Sequence, residues 1–212
     1  KDGSVAVVWT DVNAAASRIW MRTRSTDGSW NTPTLIDTVQ TLASTAVTDI
    51  QVDLNQDGDG WIAWTLLNYD VLTDEAIVLL QRVTAGQSVG SPISHTSCQI
   101  GSADDRKQIS LSVGNDGRGL LGCIHATGEA TSTFLPTSGP IPPDQSLGND
   151  AQWIRAAWPS GDGNGVVAFA HSADNVLRAS TISSTGTLIG STESFQGSAP
   201  FVFGTGTDYF VL

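Results

Sequence analysis

Ile50-Gln51-Val52-Asp53-Leu54-Asn55-Gln56-Asp57-Gly58-Asp59-Gly60-Trp61-Ile62-Ala63-Trp64-Thr65, followed after a polar stretch by Ala76 to Arg82, is the segment that decides the fold. Ile50, Val52 and Leu54 alternate with polar residues, the mark of a strand with one buried face. Asp57-Gly58-Asp59-Gly60 supplies residues that accept positive φ, which a tight turn between paired strands needs. Trp61 to Thr65 is nearly all apolar, as expected of a strand covered on both faces. Ala76 to Arg82 reads as a third strand, closed by a turn at Gly86.

The same phrase recurs. Gly-x-Gly turns stand at Gly58/Gly60, Gly117/Gly119, Gly163/Gly165 and Gly204/Gly206, and Gly3 fits as the second glycine of an earlier copy. Each is followed by an apolar strand: Val5 to Trp9, Trp61 to Trp64, Leu120 to Ile124, Val166 to Ala170 and Tyr209 to Leu212. The third residue past the glycine is small in four copies, Ala6, Ala63, Gly122 and Ala168, so a neighbour packs close there. A third strand (Arg18 to Arg24, Ala76 to Arg82, Thr133 to Leu135, Val176 to Thr181) leads to exit turns at Gly28, Gly86, Gly139 and Gly186. A fourth strand is expected at Thr34 to Ile36, Pro92 to Ser94 and Glu193 to Phe195. Pro140, Pro142 and Pro143 weaken it in the third unit, because proline has no N–H to give to a ladder.

Inner strands at Ile50 to Gln56, Ile109 to Val113, Trp153 to Trp158 and Phe201 to Phe203 complete four-stranded antiparallel meanders repeating roughly every 40 to 60 residues with no helical periodicity. That pattern predicts an all-β fold, a β-propeller of about four to five blades. A sandwich also uses many short strands but lacks the internal period. At 212 residues the chain reads as one domain, with blade pieces at about 1–46, 47–105, 106–150, 151–198 and 199–212. The second strand of a blade stands at both ends, which suggests an incomplete ring or part of a larger propeller, with bare edges for a partner chain to cover.

Charge narrows the partners. The net charge is −11, with Lys1 and Lys107 the only lysines against eight arginines. Such a surface does not suit a phosphate backbone or anionic headgroups, so neither nucleic acid nor membrane insertion is expected, and no apolar run is long enough to span a bilayer. Charged residues make up 15%, while seven Trp and six Phe need burying, a balance common in extracellular or cell-surface β-proteins. Cys98 and Cys123 allow at most one bridge.

Chemistry is sparser. Asp53, Asn55, Asp57 and Asp59 place oxygen-bearing side chains at alternate positions before a glycine-assisted bend, the opening of a calcium loop, so Ca²⁺ is a candidate cofactor there. The same residues also suit Asx hydrogen bonds that merely cap a turn. The stretch resembles the calcium hairpins between first and second strands of FG-GAP blades in integrin-type propellers, departing from them at Trp61 and Trp64, where further ligands are expected. Ser25-Thr26-Asp27-Gly28-Ser29-Trp30 resembles a shortened Asp-box of the sialidase type, which implies a structural turn with Trp30 pinned in a blade interface.

No catalytic set is legible. Arg18, Arg22 and Arg24 fall at period two on one strand face, but Tyr69 and Tyr209 have no recognisable partners, and no Gly-x-Ser-x-Gly, His-Glu-x-x-His or phosphate loop occurs. His125 and His171 each lie six residues past a repeat glycine and are expected on the same rim. The chain therefore reads as a non-catalytic module whose loops Asp11 to Ser17, Leu66 to Glu75, Ala126 to Ser132 and Ser172 to Asn175 meet a protein or glycan, with Trp20, Trp61 and Tyr69 as stacking candidates. A lectin-like or glycosidase-like propeller is the alternative.

Overall fold

The computed structural model describes residues 5–12, 16–40, 45–68, 76–100, 109–159, 163–171, 174, 176–196, 202–205 and 208–211, the last two segments as backbone alone. All regular structure among them is strand. Sheet I contains β1 (Val5–Val12), β2 (Ala16–Arg24) and β3 (Thr34–Gln40). Sheet II contains β4 (Thr45–Leu54), β5 (Gly60–Asn68), β6 (Ala76–Thr84) and β7 (Gln87–Ile100). Sheet III follows with β8 (Ile109–Val113), β9 (Gly119–Ile124), β10 (Ala130–Leu135) and β11 (Gln145–Gly148). Sheet IV has β12 (Ala151–Ala157), β13 (Gly165–His171), β14 (Val176–Ile182) and β15 (Leu188–Gln196), and sheet V has β16 (Val202–Thr205) and β17 (Asp208–Val211).

Every pairing is antiparallel and follows chain order, so each sheet is a meander. The sheets stack like blades, β1 lying on β4, β4 on β8, β8 on β12 and β12 on β16. This is a propeller-like all-β architecture. The prolines of the third unit fall in the connection before β11 and leave a short fourth strand, Gln145–Gly148, intact.

Strand alternation builds the cores. In β5, Ile62 and Trp64 face sheet I and pack with Ile19, Met21 and Ile36, whereas Trp61 and Ala63 face sheet III and pack with Ile109, Leu121 and Leu135. Sheets III and IV close a third core around Leu120, Ile154, Trp158, Val167 and Phe169. A strand sandwiched this way has no polar face, which is why the second strands read as continuous apolar runs.

The small residue in the second strand is explained at Gly122. A Cβ there would stand 3.0 Å from Ile154 Cγ1 and 3.3 Å from Val167 Cγ1. Fourth strands carry a different device: β7 and β15 break register opposite Gln81 and Ser180, with Gly90 and Gly190 at φ 78° and 72°. Such bulges twist an exposed edge away from strand pairing.

Cys123 is buried in the core between sheets II and III, and the Cys98 side chain lies outside the described residues. Gly122→Val overfills the contact with sheet IV; the expected loss of about 1–3 kcal/mol is checked by denaturant unfolding, with Thr137→Ser on the exposed exit turn as a neutral control.

Candidate functional site

The turn 54–60 shows what its acidic residues do. Asn55 is 4% exposed, and its Oδ1 accepts from the N–H groups of Asp57 (2.9 Å) and Asp59 (2.8 Å), while its Nδ2 donates to the Asn115 carbonyl of sheet III at 2.8 Å. Asp53 Oδ2 accepts from Val113 N–H at 2.8 Å, and Asp59 Oδ1 from Ala85 N–H at 2.8 Å. Three of the four side chains expected as calcium ligands thus accept backbone N–H groups. They act as an Asx turn and as clasps between turns and sheets. Among the described residues no group of three His, Cys, Asp or Glu side chains is arranged to hold a metal ion.

The aromatic candidates separate. Trp61 is fully buried beneath the Arg82 guanidinium, 4.9 Å from its ring centre, so it offers no stacking surface. Tyr69 lies outside the described residues. Trp20 is half-buried and sits directly across from Trp9 on the face of sheet I turned away from sheet II. Trp30 is 42% exposed and does not enter a blade interface; its ring lies 5.3 Å from Arg22, whose Nε donates to the Asn31 carbonyl. In the same turn Asp27 Oδ1 accepts from both Oγ and N of Ser29, which holds its carboxyl below the usual carboxylate range.

That outward face of sheet I is the surface sequence reasoning left unassembled. Register sets Val5 opposite Arg24, Val7 opposite Arg22, Trp9 opposite Trp20 and Asp11 opposite Arg18. Val5, Val7 and Leu35 are 44%, 41% and 43% exposed. Beside it, between sheets I and II, an open cleft of about 500 Å³ is lined by Val5 and Ala6 on one wall, Val52 and Leu54 on the other, with Arg24 and Asp57 at its polar end. The signal that could have found this face was the period-two arginine run, which no buried blade face repeats.

The histidines do lie at matching places, His125 at the end of β9 and His171 at the end of β13. His125 opens a turn closed by Glu129, so the expected loop Ala126 to Ser132 is shorter and β10 begins at Ala130. Likewise β1 runs to Val12 and β2 begins at Ala16, within the expected Asp11 to Ser17 loop, while residues 13–15, 69–75, 172, 173 and 175 of the expected loops lie outside the described residues. His171 Nδ1 donates to Asp174 Oδ1 at 2.7 Å, with Asp150 Oδ2 3.7 Å from its Nε2. Asp174 is slightly desolvated, yet hydrogen bonds from His171, Val176 N–H and Arg178 outweigh that and lower its pKa. At the interface of sheets II and III, buried His95 meets Asp144 at 2.8 Å, and Thr133 Oγ1 donates to the same carboxylate at 2.7 Å. Burial lowers the pKa of His125 from 6.5, against the pull of Glu129 and Asp144. The contacts of all three histidines tie strand ends and neighbouring strands together.

No protein-family model and no curated protein matches the chain. Solved structures do. A point mutant of NanB sialidase from Streptococcus pneumoniae aligns at 12% identity and TM-score 0.47 over 87% of this chain and 30% of that one. A GH43 endo-arabinanase from Bacillus licheniformis aligns at 15% and 0.33 over 92% and 82%. A mutant of AofleA from Arthrobotrys oligospora, with three arginines replaced by alanine, aligns at 10% and 0.39 over 99% and 59%. The chain spans about three tenths of the sialidase chain it matches.

Two outcomes test the site. Asn55→Ala strands two N–H groups and a carbonyl, so a loss of about 2–3 kcal/mol is expected in unfolding experiments, equal with calcium and with chelator if the side chain is a clasp. Because the folded pKa of His125 lies below 6.5, the unfolded state takes up the proton first, and stability present above 6.5 is lost as pH falls below it. His125→Gln is expected to flatten the melting temperature between about pH 7 and 5.

Proposed function

We propose that this chain is a non-catalytic binding and assembly module, part of a β-propeller held outside the cell or on its surface, whose first sheet receives a partner protein, a second copy included, on its outward face. One observation carries the reading. Two and four residues past the repeat glycine stand Ile62 and Trp64, Leu121 and Cys123, and Val167 and Phe169, all 0% exposed, while the equivalent Val5 and Val7 are 44% and 41% exposed. Sheets II to IV each bury this face against the sheet before them; sheet I presents it to solvent among Trp9, Trp20, Leu35 and three arginines. A flat apolar face rimmed by polar groups marks an interaction surface. The acidic, lysine-poor composition and the histidine clusters spent on strand contacts support a scaffold over a catalyst.

Sedimentation velocity over a concentration series tests it. The chain is expected to self-associate as concentration rises, and the double variant Val5→Glu/Val7→Glu to sediment as a monomer with an unchanged circular dichroism melt. Identical monomeric behaviour of both proteins overturns the reading.

A further inference from the structure

The seam of sheets II and III holds a cluster of titratable groups. His95 lies on β7 opposite Val78, a residue of the core between these two sheets, so its ring faces sheet III, and it is 9% exposed. Its Nε2 stands 2.9 Å from Thr133 Oγ1 and 2.8 Å from Asp144 Oδ1. Thr133 Oγ1 donates to the same Oδ1 at 2.7 Å. The Thr133 hydroxyl has one proton and gives it to Asp144, so the hydrogen-bond network assigns Nε2 a proton of its own. This triangle is a polar bridge from β7 to β10.

His125 stands beside it. It follows β9, two residues past Cys123, which is 0% exposed in the same core. Thr131, the partner of Cys123 on β10, has its Oγ1 3.2 Å from His125 Nε2. Among the described residues, the titratable groups that face His125 are Glu129 of its own turn, Asp144 of the connection before β11 and His95 of sheet II. Both carboxylates are engaged elsewhere, Asp144 by Thr133 and His95, Glu129 by the Ser146 hydroxyl. A charged His125 therefore draws on the carboxylate that holds the bridge, and it needs water that a half-buried place withholds.

The seam of sheets III and IV is built otherwise. His171, the counterpart of His125, has a carboxylate at each ring nitrogen, Asp174 at 2.7 Å and Asp150 at 3.7 Å. Where sheet III has Thr133, sheet IV has Ser180, which meets the Thr192 hydroxyl at 2.9 Å, a pair that does not titrate. Protonation of His171 is thus met by partners already in place.

We infer that the seam between sheets II and III is an acid-opened joint. Proton uptake by His125 pulls Asp144 from His95, β7 lifts from β10, and water reaches the core at Cys123. The sign follows from burial, which lowers the pKa of His125 from 6.5 more than Glu129 and Asp144 raise it. An opened, hydrated His125 takes the proton before the closed one does, so opening gains as pH falls below 6.5.

The test uses the chain with Cys98→Ser, which leaves Cys123 as its thiol. A pyridyl disulfide reagent labels it between about pH 7 and 5, each rate divided by that of the same chain in denaturant at that pH. Protection of the thiol is expected to fall about three- to tenfold over this range, with an unchanged circular dichroism spectrum. His125→Gln is expected to hold protection level. Glu129→Gln removes a charge that favours proton uptake, and is expected to extend the fall to lower pH. A companion chain with Cys98→Ser, Cys123→Ala and Val167→Cys carries its thiol in the core between sheets III and IV, where no fall is expected. Constant protection of Cys123, a fall that survives His125→Gln, or an equal fall in the companion chain overturns the joint.

Discussion

The stack depends on how each inner strand satisfies its second edge. A first strand pairs with the second strand of its own sheet on one side only, and N–H groups on the other side need an acceptor. That acceptor comes from the preceding inner strand: Gln51 and Asp53 for Leu111 and Val113, Ser110 and Ser112 for Ala156 and Trp158. Gln51 adds a donor, its Nε2 meeting the Ile109 carbonyl at 2.8 Å. Alternate acceptors fix the height of one sheet against the next, because a slip of one residue would turn every acceptor away and every aliphatic side chain out of the core. The polar residues of these strands are therefore part of the interface.

Farther from the inner strands a second device recurs. Arg82 lies over Trp61 and donates to the Pro136 and Gly139 carbonyls of sheet III; Arg118, 6.0 Å from the Trp158 ring, donates to the Ser184 carbonyl of sheet IV. Guanidinium planes suit this double duty, since the ring takes the cation while the fork reaches carbonyls. In sheet I the cation–ring pair Arg22 and Trp30 stands on the outward face, turned away from sheet II, and Arg22 closes on the Asn31 carbonyl of its own sheet.

Much of this architecture is legible from glycine spacing alone. Strand positions follow from the repeat because apolar runs and φ-permissive corners are local properties; β8 and β12 fall where the period puts them. What local pattern does not settle is the duty of Asp53, Asn55 and Asp59. The residue types and spacing that coordinate an ion also cap a turn, and only Asn115 and Val113, some sixty positions away, decide which groups are spent. Trp61 and Trp30 look alike in sequence for the same reason: each follows a glycine turn, and burial of one and exposure of the other depends on whether a further sheet lies above it.

The acceptor ladder also gives the stack a direction. Each inner strand sends side-chain acceptors forward and turns backbone donors backward, so the two ends differ in kind. At the far end the ladder stops: the β12 residues in register with Gln51 and Asp53 are Arg155, which curls back to the Ile154 carbonyl at 2.7 Å, and Ala157, which has no polar side chain. The contact of β12 and β13 with β16 thus proceeds without that ladder. At the near end the register turns the Val52 N–H toward sheet I, as it turns those of Leu111 and Ala156 toward the sheets before them.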